Sequence, residues 1–107
     1  MGGQMPENQA KYAAKVLSAI AHPNRIRILD CLRDDTHCNC ELAPALGLEQ
    51  SNLSRHLKIL VQAGILISWK EGLRVNFKVA DRRVYRILEL AKALTTREIS
   101  LNAKAMA

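Results

Sequence analysis

Between Gly47 and Gly64 the chain carries Leu53, Leu57, Leu60 and Val61 at helical spacing, with Ser51, Arg55, Lys58 and Gln62 on the opposite side. That pattern predicts a helix over roughly 50–63 that stops at Gly64. A shorter helix over about 39–46 precedes it and ends at Gly47. Pro44 inside that helix is tolerable only near its first turn. Two short helices joined through Gly47-Leu48-Glu49, the second polar and basic outside, form a helix-turn-helix pattern. Strand period follows at once. Ile65-Leu66-Ile67-Ser68-Trp69-Lys70 is a first run, and Val75, Phe77 and Val79 alternate with Asn76 and Lys78 in a second. Glu71-Gly72 between the two runs reads as a hairpin turn. A hairpin directly after a helix-turn-helix is a wing.

The flanks are helical. Tyr12, Val16, Leu17 and Ile20 predict a first helix over roughly 8–21. Pro23 interrupts it, with His22 as a linker residue. Asn24 is the expected cap of a second helix over about 24–33, which buries Ile26, Ile28, Leu29 and Leu32. Asp34-Asp35-Thr36 makes a turn. Val84, Ile87, Leu88, Ala91 and Leu94 mark a C-terminal helix with more apolar surface than one small domain needs. That surplus predicts a dimer face, shared with the first helix. The expected fold is mainly α with a small β-hairpin, a winged helix-turn-helix in the order α-α-α-α-β-β-α, as a homodimer. Residues 1–7 read as a flexible tail, and 8–107 as the DNA-binding domain with terminal dimerisation helices.

Composition agrees. With 107 residues there is room for one domain. Aromatic residues are only 4% of the chain, so the core must be aliphatic. The net charge of +6 is concentrated in one stretch. Residues 50–86 hold eight basic and two acidic side chains, whereas 1–49 hold five and six. A block of one sign suggests a polyanion partner. The N-terminus does not resemble a secretory signal, and no apolar run approaches the roughly 20 residues that cross a bilayer. No membrane partner is expected. Three cysteines without such a signal predict reduced thiols in the cytoplasm rather than a disulfide framework.

A major-groove reader needs short polar side chains and Arg at the exposed start of a helix, because base edges lie deep in the groove. Gln50, Ser51, Asn52, Ser54 and Arg55 supply that set. Lys58 and His56 are expected nearer the phosphates. Lys70 and Arg74 flank the wing tip, within reach of backbone phosphates or the minor groove.

At this point a family resemblance becomes specific. Ala21-His22-Pro23-Asn24-Arg25-Ile26-Arg27-Ile28-Leu29, Cys38-Asn39-Cys40-Glu41-Leu42-Ala43, and Gln50 to Leu60 followed by Ala63-Gly64-Ile65-Leu66 resemble the ArsR/SmtB family of winged-helix repressors. The likeness runs from about residue 12 to 80, and Ser51-x-x-Ser54-x-His56-Leu57-Lys58-x-Leu60 is its most specific part. It implies a homodimer on an inverted-repeat operator, released by an inducer. Glu49 departs from the family, which usually has Ser there.

Cys38-Asn39-Cys40 resembles the family's Cys-x-Cys at the start of the third helix, an arsenic or antimony sensing site and sometimes a cadmium or lead one. Soft thiolates select soft ions, and a helix N-terminus favours the thiolate. Residues two apart on a helix point roughly 200° from each other, so both sulfurs are expected to hold one ion only if the first turn unwinds. The arsenic pattern often adds a third Cys at the position of Ala43. Here the third ligand is Cys31, an external thiol or none, with His37 a candidate nitrogen ligand for zinc or cadmium. The expected inducer is As(III) or Sb(III), with cadmium, lead or zinc as alternatives and no organic cofactor. Thiol oxidation without metal is a further alternative, as is a small thiol metal buffer with no DNA role. The family's C-terminal-helix metal site needs His and carboxylate ligands, and Asp81 to Arg86 lacks the His. No glycine-rich phosphate loop, paired catalytic carboxylates or Cys-His set suggests an enzyme.

Overall fold

The computed structural model describes residues 3–33 and 35–106, the side chains beyond 97 excepted. Met1 and Gly2 of the expected tail, Asp34 of the expected turn and Ala107 lie outside them. The order is α1 (Glu7–Ile20), α2 (Pro23–Leu32), β1 (His37–Cys38), α3 (Asn39–Leu46), α4 (Gln50–Gln62), β2 (Leu66–Glu71), β3 (Arg74–Val79) and α5 (Arg83–Met106). This is the expected order with one addition, the two-residue β1.

Local chemistry sets the boundaries. α2 starts at Pro23, whose fixed φ suits the first helical position. Its cap is His22, not Asn24: the His22 Nδ1 accepts a hydrogen bond from the Asn24 N–H at 3.0 Å. His22 is therefore a capping residue rather than a passive linker. α3 ends at Gly47, which takes the left-handed conformation (φ 65°, ψ 32°), while the Leu48 N–H reaches back to the Ala43 carbonyl at 3.0 Å. Gly64 (φ 77°) plays the same part after α4, where the Ile65 N–H bonds the Leu60 carbonyl. Asp81 opens α5 by accepting from the Arg83 N–H at 2.9 Å. The Arg83 guanidinium and this N–H hold the Asp81 carboxyl down to a pKa of about 2.

Ile28, Leu29 and Leu32 of α2, Leu42 of α3, and Leu53 and Leu60 of α4 have no exposed surface, and Leu57 and Leu66 almost none. Burying each such side chain contributes about 1.5–3 kcal/mol. Phe77 and Val79 of β3 and Val84, Tyr85 and Leu88 of α5 close this single core. The Tyr85 hydroxyl donates to the Leu29 carbonyl at 3.1 Å and fastens α5 to α2.

The sheet order is β1-β3-β2, both pairs antiparallel. Leu66 stands opposite Val79, Ser68 opposite Phe77 and Glu71 opposite Arg74. Gly72 turns the hairpin with φ 64°. On the far side of β3, His37 pairs with Phe77 and Cys38 with Asn76. The radius of gyration, 16.5 Å, exceeds the roughly 13 Å of a compact domain this long, in keeping with a long α5.

Candidate nucleic-acid interface and cysteine pair

α4 exposes Gln50, Ser51, Ser54, Arg55 and Lys58, with Asn52 half-buried among them. Its other side carries Leu53, Leu57 and Leu60 into the core. The packing that holds α4 in place thus aims the polar set outward. The Asn52 Oδ1 accepts from the Arg55 guanidinium at 3.0 Å, which holds that fork over the start of the helix. Glu49, Ser51, Asn52 and Arg55 line a shallow depression of about 350 Å³ there. Lys70 and Arg74 are exposed on either side of the wing turn. A cleft of about 380 Å³ separates the wing from α4, lined by Ser54, Lys58 and Gln62 on one wall and Ser68 and Val75 on the other.

His56 departs from the expectation. It is 6% exposed, and its ring lies 4.4 Å from that of His22. It falls three residues after Leu53 and four before Leu60, so it sits on the inward stripe and out of phosphate reach. Its Nδ1 is buried with no hydrogen-bond partner among the described residues. Burial, then the neighbouring His22 ring and the Arg25 and Arg55 guanidiniums, pushes the imidazole pKa down.

The cysteine pair departs from expectation in a different way. Cys38 is not helical. It is the N-cap of α3 in an extended conformation (φ −82°, ψ 162°), and the helix starts at Asn39. Cys38 and Cys40 are joined as a disulfide, with Cα atoms 5.2 Å apart, where two reduced thiols were expected. The sulfurs therefore converge with the first turn of α3 intact, and no unwinding is needed. Cys38 is fully buried, whereas Cys40 is exposed. The Glu41 carboxylate accepts from the Cys38 N–H at 3.1 Å and lies 3.4 Å from the His37 ring. That backbone bond, then His37, keeps the Glu41 carboxyl below the usual carboxylate range. Pro44 has no N–H to donate to the Cys40 carbonyl, so the turn bearing Cys40 lacks one rung of the helical ladder.

Among the described residues no three His, Cys, Asp or Glu side chains converge on one point. His37 faces Glu41 and Asp35, and Cys31 is a free, half-buried thiol on α2. Neither completes a three-donor set with the pair.

A recognition helix packed on a three-helix core and followed by a basic hairpin defines the winged helix-turn-helix class of DNA-binding proteins. Residues 22–68 match the model of the bacterial regulatory protein arsR family. The chain is 38% identical over 76 residues to the HTH-type transcriptional repressor SmtB of Mycobacterium tuberculosis, covering 71% of this chain and 56% of SmtB. The match thus spans little more than half of that relative. The crystal structure of M. tuberculosis Rv0081 superposes with a TM-score of 0.77 at 31% identity, covering 92% of this chain and 99% of that one. The AntR antimony-specific transcriptional repressor gives a TM-score of 0.79 at 25% identity, over 92% and 89% of the two chains. The homodimeric winged helix-turn-helix domain of Mb0332 from Mycobacterium bovis gives 0.74 at 27%, over 92% and 94%. The chain belongs to the arsR family of winged helix-turn-helix transcriptional regulators, a family of DNA-binding proteins and not of enzymes. Among the described residues no helix is long and apolar enough to cross a membrane.

Proposed function

We propose that this regulator is a homodimeric repressor that reads an inverted-repeat operator with α4 and the wing. It releases DNA when Cys38 and Cys40 capture a thiophilic metalloid, As(III) or Sb(III). The observation that carries the reading is the convergence of the two sulfurs at the start of α3, the helix that leads through Gly47 into α4. Soft thiolates select soft ions, and a helix N-terminus favours the thiolate over the thiol. When bound, such an ion draws the two sulfurs to one centre. An external thiol or hydroxide supplies the third donor. The antimony-specific AntR neighbour supports the metalloid over cadmium, lead or zinc.

Gln50, Ser51, Asn52, Ser54 and Arg55 are assigned to base edges, and Lys58, Lys70 and Arg74 to phosphates. Tyr12 and Leu17 on α1 and Leu90 and Leu94 on α5 are exposed apolar side chains, and we assign them to the dimer contact. The homodimeric Mb0332 domain supports it. Two-fold symmetry in the protein then matches two half-sites in the operator. A cytoplasmic setting follows from DNA as the target.

A second reading keeps the DNA half and makes the pair a redox switch. The disulfide between Cys38 and Cys40 favours it. Two thiols lose two protons and two electrons to peroxide, which leaves as two waters.

Fluorescence anisotropy on the DNA upstream of its own gene separates the two. The reduced protein is titrated with arsenite, cadmium, zinc and peroxide in turn, beside a Cys38→Ser/Cys40→Ser variant. Release of the wild type alone by arsenite supports the metalloid reading. Release by peroxide alone supports the redox reading. Release of both proteins alike overturns any role for the pair.

A further inference from the structure

β3 is the central strand, so Cys38 on β1 pairs directly with the strand that carries Arg74 and lies one strand away from Lys70 on β2. Cys38 pairs with Asn76, and Asn76 pairs with Trp69, which makes one row across all three strands. Directly opposed residues in antiparallel strands share a face, with Cβ atoms about 4.5–5.5 Å apart. Asn76 is the middle member and a buried polar side chain, 9% exposed. Its Nδ2 donates to the Glu71 Oε2 at 2.9 Å. Glu71 ends β2 beside Gly72 and stands opposite Arg74. One amide therefore reaches from the neighbour of the sulfur pair to the wing turn.

We propose that Asn76 is a positioning residue that carries the state of the Cys38/Cys40 pair to the wing. The inducer would then loosen the phosphate grip of Lys70 and Arg74 before it disturbs α4. This rests on the pair being the inducer site. Cys38 is fully buried and its N–H is held by Glu41, so a new group on its sulfur presses on the side chains packed around it. In the reduced protein the two thiols displace two hydroxyls of arsenous acid as two waters. Two arsenic–sulfur bonds form, the third hydroxyl stays, and no oxidation state changes. The side chain opposite Cys38 must then yield. When Asn76 yields, its bond to the Glu71 carboxylate breaks and the turn loses its brace.

Trp69 is the only tryptophan, and it closes the row, so its emission reports the relay without DNA. Reduced wild type should change its Trp69 emission on adding arsenite, and Cys38→Ser/Cys40→Ser should not. Asn76→Leu should still lose two titratable thiols to arsenite and still prefer its operator to random DNA. Its arsenite-induced loss of DNA affinity should fall from about tenfold or more to below about threefold, with a diminished Trp69 response. Glu71→Ala, an exposed substitution, should show the same loss of coupling and decides the matter if Asn76→Leu does not fold. Wild-type-sized release in Glu71→Ala, or in a folded Asn76→Leu, overturns the relay. Equal release in wild type and Cys38→Ser/Cys40→Ser overturns instead the reading beneath it.

Discussion

The imidazoles of His22 and His56 lie 4.4 Å apart, joining the cap of α2 to the inward side of the recognition helix. Burial, then the neighbouring His22, Arg25 and Arg55, pushes the His56 pKa below the ordinary histidine value. As pH falls below about 6.5, the unfolded chain takes up this proton before the folded one does. The contribution of His56 is thus complete above that pH and is lost as pH drops toward its folded pKa. The melting temperature should fall between pH 7.5 and 5.5, and His56→Phe should fall less. An equal fall in both proteins would remove His56 as the cause.

Arg55 and Lys70 should fail differently. Arg55 is held by Asn52 at the start of α4, whereas Lys70 is exposed on the wing. Arg55→Ala should cost about 1–3 kcal/mol on the operator and relax specificity at one base pair. Lys70→Ala should weaken all duplexes alike and reduce the salt slope by about one. Anisotropy on specific and random DNA at several salt concentrations measures both. Equal losses on both DNAs for both variants would misplace the recognition helix.

Gly47 is held at φ 65°, and an added Cβ would meet nothing within 4 Å. The penalty for a side chain there is therefore one of backbone conformation alone. Gly47→Ala should destabilise by about 1–2 kcal/mol, and Gly47→Asn by less, since Asn tolerates the left-handed region. Urea midpoints with unchanged slopes would show it.

Tyr85→Phe tests the fastening of α5. The Leu29 carbonyl keeps the Arg33 N–H at 3.2 Å but loses the hydroxyl. The cost should be about 1 kcal/mol, read by thermal or urea unfolding. No change would mean that this hydroxyl bond adds nothing to the hold on α5, which the Arg33–Glu89 pair at 3.1 Å also ties to α2.

The long helices and the hairpin were legible because their periodicity spans many residues. The leucine stripe of α4 and the alternation of β3 each select one period. β1 was not legible, since two residues carry no periodicity and His37-Cys38 becomes a strand only through β3. His56 was legible in principle. Its spacing from Leu53 and Leu60 puts it on the apolar stripe, but its chemistry suggested phosphate. The pairing of Cys38 with Cys40 was not legible, because helical spacing sets residues two apart about 200° from each other and only the extended backbone of Cys38 brings the sulfurs together. Glu41, three residues after Cys38, was the available signal, because a Glu at that spacing marks the residue before a helix. The cap made by His22 had no such signal, since imidazole is not among the usual capping groups.

The central claim is that α4 and the wing make a sequence-specific reader of duplex DNA. Its most direct test is the affinity of the reduced protein for its upstream DNA against a scrambled duplex, followed from 50 to 200 mM salt. A preference of about a thousandfold or more at the higher salt, with both affinities falling as salt rises, is the expected result. Equal affinity for the two duplexes would contradict the account.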